Sequence, residues 1–459
     1  VSKTDFSALP LSGAMLDNLT SLGYLSMTPI QAESLPGTLD NRDLIAQAKT
    51  GSGKTAAFGI PLMEKLNPRW FAIQGLVMCP TRELAEQVAK ELRRLARHID
   101  NIKVLTLCGG SPMGPQIGSL EHGAHVVVGT PGRLRDHLGR GTIDLSTVHT
   151  LVLDEADRMV DMGFYEDIAG IVSACPKKRQ TLLFSATYPD NIRKLSGPFL
   201  RQPLEVKVES LHQTDKIEQR FYKVDANKRN AMVAQALQHY RPTSTLAFCN
   251  TKIHCRELAA ELTDQGFSAL ALYGELEQRE RDEILLRFVN RSVSILVATD
   301  VAARGLDIQG LDMVINVDVA RDAEVHIHRI GRTGRGDEQG LALTLAAPAD
   351  QRWVDEISRY QQAPLAWRDS AELMVKGTGR LVPPMVTLCI AAGKKEKLRP
   401  GDILGALTGE GGLDGQAIGK IQITEFASFV ALRREVAEQH FTRLTDCKIK
   451  GKPRKMRLM

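Results

Sequence analysis

Short apolar runs alternate with longer amphipathic stretches, twice over along the chain, and this alternation constrains the fold more than any single motif. Between residues 40 and 210, "DLIAQA", "GLVMCP", "KVLTLCGG", "HVVVGT", "TLVLDEA" and "QTLLFSAT" read as strands buried on both faces. Between them lie segments such as "TRELAEQVAKELRRLARHI", with apolar residues at helical spacing. Strands alternating with helices imply βαβ units and a parallel sheet covered on both sides. Residues 217–346 repeat the style in "TLAFCN", "SALALYG", "SILVATD", "MVINVD" and "GLALTLAA". The expectation is two tandem α/β domains, 1–208 and 216–365, with a linker inside the polar stretch "EVKVESLHQTDKIEQRF".

The alternation stops at "QQAPLAWRDSAELMVKGTGRLVPP", and 366–383 reads as a connector. Beyond it, "MVTLCIAAG", "GKIQITEF", "SFVALRREV" and "KPRKMRLM" are strand-like, while "RPGDILGALTG" and "VAEQHFTRL" are helix-like. The order βαββαβ fits a small ferredoxin-like α+β module over 384–459. Charge is concentrated there. Residues 380–459 carry 15 Lys/Arg against 8 Asp/Glu, a net +7 within a chain of net +5. Charge alone fits a solubilising tail and a module for a polyanion equally well.

No uncharged apolar run approaches the ~18 residues that span a bilayer, and "VSKTDFSALP" lacks the apolar core of a signal peptide. The seven cysteines include no C-x-x-C pair, which fits buried thiols in a reducing compartment better than disulfides or zinc. A cytoplasmic protein without membrane association is expected.

"AKTGSGKT" (48–55) follows an apolar run and precedes a helix-like segment. It matches a phosphate-binding loop with Ala48 in place of the first glycine. Backbone N–H groups of Gly51, Ser52 and Gly53 would approach phosphate, Lys54 would reach the β/γ-phosphates, and Thr55 would hold Mg²⁺. "LVLDEADRMVD" (151–161) ends a strand-like run with Asp154, Glu155 and Asp157 in four positions. Carboxylates that close repel one another unless they face something positive. A metal–nucleotide complex supplies that partner, with Asp154 supporting Mg²⁺ and Glu155 placed to orient or deprotonate the attacking water. "RIGRTGR" (329–335) reads either as a solvated basic turn or as arginines aimed at a γ-phosphate.

In this order and number, the motifs resemble those of the DEAD-box RNA helicases across nearly all of residues 6–345. The tetrapeptide Asp154-Glu155-Ala156-Asp157 is the family's signature. "GYLSMTPIQ" (23–31) is similar to its Q motif, which implies that Gln31 reads adenine and Phe6 stacks on it. "PTRELA", "GG" and "TPGR" are similar to first-domain RNA-backbone motifs, implying RNA contacts at Arg82, Gly110, Thr130 and Arg133. "SAT" (185–187) is similar to the coupling motif, implying such roles for Ser185 and Thr187 alongside Asp157. "ATDVAARGLD" (298–307) and "HRIGRTGR" (328–335) match second-domain motifs. They imply Thr299 on RNA, Gly305 and Asp307 on nucleotide, Arg304 and His328 in coupling, and Arg332 and Arg335 as fingers on the γ-phosphate. Gln278 and Arg281 resemble a Q-x-x-R element that touches RNA. The resemblance further implies ATP and Mg²⁺ as cofactors and local strand separation as the outcome of the cycle.

"AAGKKEKLRPGDILGALTGEGGLDG" (391–415) and "CKIKGKPRKMRLM" (447–459) resemble the DbpA group of bacterial DEAD-box helicases. That resemblance implies an RNA-recognition-like domain directed to a hairpin of large-subunit ribosomal RNA near the peptidyl-transferase centre, acting on a pre-50S particle as a monomer. Lys394, Lys395, Lys397, Arg399, Lys448, Lys450 and Lys452 are the expected contacts, with Phe429 from "FVAL". The usual stacking aromatics are otherwise absent: Ala427 and Cys389 stand where rings are expected. A generalist RNA helicase and an ATP-gated RNA clamp remain alternatives.

Overall fold

A computed structural model describes residues 4–48, 51–186, 197–208, 217–303, 308, 310–334, 339–374 and 381–459. It divides into two compact units, one reaching to about residue 211 and the other running from there to the C-terminus. Among the described residues, no helix is long and apolar enough to cross a membrane.

The first unit holds seven strands: β1 (Leu44–Gln47), β2 (Gly75–Met78), β3 (Val104–Leu107), β4 (Val126–Gly129), β5 (Thr150–Asp154), β6 (Gln180–Ser185) and β7 (Leu204–Lys207). They lie in the order β3-β4-β2-β5-β6-β1-β7, with every pairing parallel. Strands β2, β4, β5 and β6 are buried along their whole length, as the continuous apolar runs require. Helices cover both faces. In Arg82–Leu95, Thr81 caps the N-terminus by accepting from Leu84 N–H at 3.3 Å. Ala85, Val88, Ala89, Leu92 and Leu95 form its buried stripe, and Arg93 and Arg94 sit favourably in its last turn.

The second unit begins with β8 (Ile217–Lys223), β9 (Thr245–Cys249), β10 (Ala269–Leu272), β11 (Ile295–Thr299), β12 (Met313–Asn316), β13 (Gly340–Ala346) and β14 (Trp367–Arg368). Their order, β10-β11-β9-β12-β13-β8-β14, repeats that of the first sheet, and again all pairings are parallel. The polar stretch read as containing the linker is strand at both ends, contributing β7 and β8. The connector read over 366–383 also begins inside this domain. Trp367 and Arg368 pair with β8, and Leu373 is buried in the second core.

The C-terminal module is antiparallel. β15 (Met385–Ile390), β16 (Ile418–Ile423), β17 (Ser428–Arg433) and β20 (Met456–Leu458) lie in the order β16-β17-β15-β20, and β18 (Lys448–Ile449) and β19 (Lys452–Pro453) make a small extra hairpin. Helices Pro400–Thr408 and Arg434–Asp446 cover one face, completing the βαββαβ order. Val386, Leu388, Ile390, Val430 and Leu432 point into the core beneath those helices. Thr387 and Ala431, opposite each other, point the other way, yet both are buried. At that end of the sheet Ser292 Oγ lies 2.7 Å and Asn290 Nδ2 3.2 Å from Thr387 Oγ1, and Met385 N–H donates to Arg291 O at 3.4 Å. The module is thus seated on the turn after helix Gln278–Val289 of the preceding domain.

Leu388 is fully buried in this small third core. Leu388→Ala should lower the module's stability by about 2–5 kcal/mol, the range for a large-to-small change that leaves a cavity. Chemical denaturation of the full chain should show an early transition split from those of the parallel sheets.

Candidate active site and nucleic-acid interface

The carboxyl ends of β1, β5 and β6 bring the phosphate loop, the acidic motif and "SAT" side by side, because these strands lie close in the sheet. The loop turns through Gly51 (φ 83°) and Gly53 (φ 91°), left-handed conformations that favour glycine. A Cβ on Gly53 would also lie 2.5 Å from Gln31 Nε2 and 2.9 Å from Thr28 Oγ1. Gln31 is buried. Its amide donates to Gly53 O at 3.0 Å, and its carbonyl accepts from Thr28 N–H at 2.9 Å. Gln31 therefore braces the phosphate loop, a contact that the adenine-reading expectation did not include. Phe6 is buried as well, edge-on to Tyr24 at 6.3 Å between ring centroids.

Ser52 lies in the loop, and Lys54 and half-buried Thr55 open the helix Lys54–Glu64, whose N-terminus is a natural anion site. Among the described residues, Lys54 Nζ is buried without a hydrogen-bond partner, and so is Asp154 Oδ1. Burial pushes the Asp154 carboxyl up to about 6, against the attraction of Lys54. A buried ammonium and a buried carboxylate, each with unmet hydrogen-bonding capacity, suit a phosphate and a hard divalent cation. Glu155 follows in the left-handed region (φ 53°), a conformation uncommon for a non-glycine residue. Its carboxylate is 3.0 Å from the Arg158 guanidinium, and both side chains are buried. Asp157 accepts from Ala186 N–H at 3.2 Å, so the acidic motif touches the middle residue of "SAT" directly, beside buried Ser185. Thr187 lies outside the described residues.

The other half of the same sheet edge gathers the expected RNA residues. Arg82 opens the helix after β2 and pairs with Glu86 at 3.0 Å. Thr130 precedes the helix after β4, and its N–H donates to Leu107 O at the end of β3. Arg133 reaches from that helix to Ser111 O at 2.9 Å, tying "TPGR" to the loop that holds Gly110. One sheet thus carries the motifs expected to meet nucleotide on β1, β5 and β6 and those expected to meet RNA on β2, β3 and β4.

In the second domain, Thr299 ends β11, and Arg281 Nη2 donates to Ala302 O at 2.6 Å, joining the Q-x-x-R element to "ATDVAA". Arg329 is not part of a solvated basic turn. It is 2% exposed and forks onto Asp300 with two bonds of 2.7 Å, reaching also Asn250 Oδ1 (2.8 Å) and Asp318 O (2.7 Å). Its guanidinium lies over Phe248. One buried arginine thus joins the loops after β9, β11 and β12, a role that the sequence reading did not assign. Arg332 is buried and His328 half-buried on the same segment. Arg304, Gly305, Asp307 and Arg335 lie outside the described residues. His326 is a core side chain against Phe221, pushed down to about 3 by burial.

Cys249, His254 and Asp318 lie close enough to suggest a metal site, but the ligand atoms of His254 and Asp318 are already engaged, and burial pushes the Cys249 thiol up, away from the thiolate a metal needs. Asp318 takes Arg229 at 2.6 Å, Asn250 N–H at 2.8 Å and His254 Nδ1 at 2.9 Å, while His254 Nε2 is held by Asn230. Burial disfavours the Asp318 carboxylate, yet His254, Asn250 and Arg229 together hold it down at about 2. The bond to Asp318 raises His254 in turn.

In the C-terminal module, Lys394, Lys395, Lys397, Arg399, Lys448, Lys450 and Lys452 are all exposed. Lys450 Nζ bonds to Lys397 O at 2.6 Å and pairs with Asp402 at 3.1 Å, so the C-terminal basic run folds back beside the 394–397 turn. Lys448 N–H is held by Glu410, and Lys448 and Lys452 lie on the small hairpin. Phe429 is half-buried opposite Cys389, on the sheet face whose other end is covered.

The His254–Asp318 pair yields a pH test. The raised His254 contributes fully below its ordinary 6.5 and loses that contribution as pH rises through its folded value. The depressed Asp318 holds its contribution above its ordinary 3.8 and loses it only as pH falls toward about 2. His254→Ala should therefore destabilise the second domain by about 1–3 kcal/mol near pH 6, and by less near pH 9. Denaturant melts at the two pH values check this; equal penalties would remove the charge from the interaction.

Three family descriptions match the chain: DEAD/DEAH box helicase over 28–195, helicase conserved C-terminal domain over 227–337, and DbpA RNA binding domain over 387–458. The ATP-dependent RNA helicase DbpA of Escherichia coli is 50% identical over 457 residues, covering 99% of this chain and 100% of that protein. The DEAD-box ATP-dependent RNA helicase CshA of Geobacillus kaustophilus is 45% identical over 357 residues, 78% of this chain and 76% of that one. Among solved structures, S. cerevisiae Dbp5 bound to RNA and ADP BeF3 superposes with a TM-score of 0.72 at 27% identity, over 80% of this chain and 96% of that chain. Mss116p bound to ssRNA and AMP-PNP gives 0.69 at 26% identity, over 78% of this chain and 77% of that chain. With the motifs expected to meet nucleotide and RNA arrayed along one sheet edge and similarity running the length of the chain, this protein belongs to the DEAD-box ATP-dependent RNA helicases, and within them to the DbpA type.

Proposed function

We propose that this RNA helicase is directed by its C-terminal module to a hairpin of large-subunit ribosomal RNA near the peptidyl-transferase centre, and remodels neighbouring helices as the particle is assembled. The observation that carries the reading is the match of 387–458 to the DbpA RNA binding domain, together with the convergence of Lys394, Lys395, Lys397 and Lys450 on one turn.

In the proposed cycle, Gly51, Ser52 and Gly53 offer backbone N–H groups to the phosphates, and Lys54 meets the β/γ oxygens. Gln31 and Phe6 serve the adenine, Gln31 also holding the loop through Gly53. Gly305 and Asp307 are assigned to the nucleotide as well. Thr55 and Asp154 are the residues that would hold Mg²⁺, directly or through water; the ion supplies charge neutralisation at the transferring phosphate. Glu155 orients the attacking water and accepts its proton, with Arg158 fixing the carboxylate. Arg332 and Arg335 stabilise charge on the transferring group. Asp157, Ser185, Thr187, Arg304 and His328 couple hydrolysis to strand separation. Arg82, Gly110, Thr130, Arg133, Arg281 and Thr299 grip the RNA backbone, contacts that position without specifying sequence. Opening a base-pair step costs on the order of 1.4 kcal/mol, taking the mean for DNA stacking, so each ATP-driven cycle opens a few pairs at most.

Glu155→Gln should reduce turnover by at least about 10²-fold while ATP and RNA still bind. Full ATPase activity in that variant would remove Glu155 as the base. Targeting is tested by steady-state ATPase rates at one salt concentration with no RNA, with poly(U), and with deproteinised ribosomal RNA. The full chain is compared with a chain truncated after Gly377 and with a full chain in which Lys394, Lys395, Lys397 and Lys450 are alanine. A strong preference for ribosomal RNA that both changes abolish is the expected result. Equal stimulation by both RNAs would leave a generalist helicase.

A further inference from the structure

The C-terminal module contains three aromatic side chains, Phe426, Phe429 and Phe441. Phe441 packs against the core and Phe429 is half-buried. Phe426 is 63% exposed, at the tip of the turn between β16 and β17. The turn is tightly tied. Thr424 N–H donates to Ala427 O at 2.8 Å, and Ala427 N–H donates to Thr424 Oγ1 at 3.2 Å. A second turn is laced to it: Lys394 N–H donates to Thr424 O at 2.9 Å and Lys395 N–H to Glu425 O at 3.1 Å. Gly393 permits this approach, since a Cβ there would collide with Thr424 O and lie 2.7 Å from Glu425 O and 2.8 Å from Ala427 N. The result brings Lys395 Nζ to 4.2 Å from the centre of the Phe426 ring.

A rigidly mounted, exposed aromatic ring amid Lys394, Lys395, Lys397 and Lys450 has the composition of a stacking site beside a phosphate path. Two acidic side chains lie in these turns, but Glu396 is occupied in accepting the Gly393 N–H at 2.7 Å. The sheet face offers little for stacking. Its central positions carry Thr387, Cys389, Phe429 and Ala431; Thr387 and Ala431 are buried, with Ser292 and Asn290 bonded to Thr387, and Phe429, the one ring among them, is half-buried. We propose that Phe426, backed by Lys395, is a stacking platform for one unpaired RNA base, placed at the joined 393–397 and 424–427 turns rather than on the sheet. The proposal rests on RNA binding by the C-terminal module, but not on which RNA it prefers.

The test is binding of the full chain to a labelled RNA hairpin with an unpaired loop, and to a fully paired duplex of equal length, across a salt series. Phe426→Ala should weaken hairpin binding about 5- to 100-fold and duplex binding little. The dependence of log K on log salt should not change, because no phosphate contact is lost. Lys394→Ala combined with Lys397→Ala should instead flatten that dependence. Phe426→Trp should keep the affinity, and its added tryptophan emission, relative to the parent chain, should fall when the hairpin binds. Thermal melts control for folding. Unchanged hairpin affinity in Phe426→Ala overturns the proposal, as does a tryptophan at 426 that does not respond to RNA. Loss of hairpin affinity in Phe426→Ala together with equal ATPase stimulation by poly(U) and ribosomal RNA would sink only the ribosomal reading.

Discussion

Two opposite charges are buried at the carboxyl end of the first sheet with hydrogen-bonding capacity unmet: the ammonium of Lys54 and the carboxyl of Asp154. Removing charges from water is costly unless partners replace the lost hydration. The cost here is carried by the rest of the domain, through fully buried strands on either side of β5 and a helix whose N-terminus adds its own positive end. Burial that raises Asp154 makes the site eager for a cation, and Lys54 is eager for phosphate. Gln31 and Glu155 belong to the same site: Gln31 pins the loop that carries Lys54, and Glu155 takes a left-handed backbone immediately after Asp154, its carboxylate paired with Arg158.

The second domain repeats the sheet order and buries a charge to different effect. Arg329 is among the largest fully buried side chains of the described residues, but its donors meet Asp300, Asn250 and the Asp318 carbonyl. A buried charge whose hydrogen bonds are met holds structure together; one whose bonds are unmet awaits a ligand. Around Arg329, three loops from three strands become one rigid set, and Asp318 extends it to Arg229 and His254. His254 and Asp318, which lie with Cys249 close enough to suggest a metal site, are part of that scaffold, since their ligand atoms are already engaged.

Strands covered on both sides were legible as continuous apolar runs, and the motifs at their ends were legible by order. The edge strands were not. β7 reads "LEVK" with only Val206 buried, and β14 is two exposed residues; such segments look like linker because half their surface meets water. The "EVKVESLHQTDKIEQRF" stretch hid both β7 and the start of β8 for that reason. Arg329 was grouped with its neighbours as a candidate finger because spacing carries no information about burial. The brace between Gln31 and Gly53 joins residues 22 positions apart, a contact that local pattern does not encode.

The C-terminal module shows how one contact redirects a fold's use. Its βαββαβ order was visible in the sequence, and so was the scarcity of stacking aromatics on the central strands, where Phe429 alone remains. The physical reason lies in the preceding domain: Asn290 and Ser292 are bonded to Thr387, and the buried Thr387 and Ala431 leave small residues where rings would clash or be hidden. A sheet face that seats the module on its own helicase domain has less surface left for bases. The exposed aromatic and the basic residues are displaced together to the far end of β15 and β17, where Gly393 lets two turns meet. In this way the same sheet can hold the module to the preceding domain while its rim remains open to RNA.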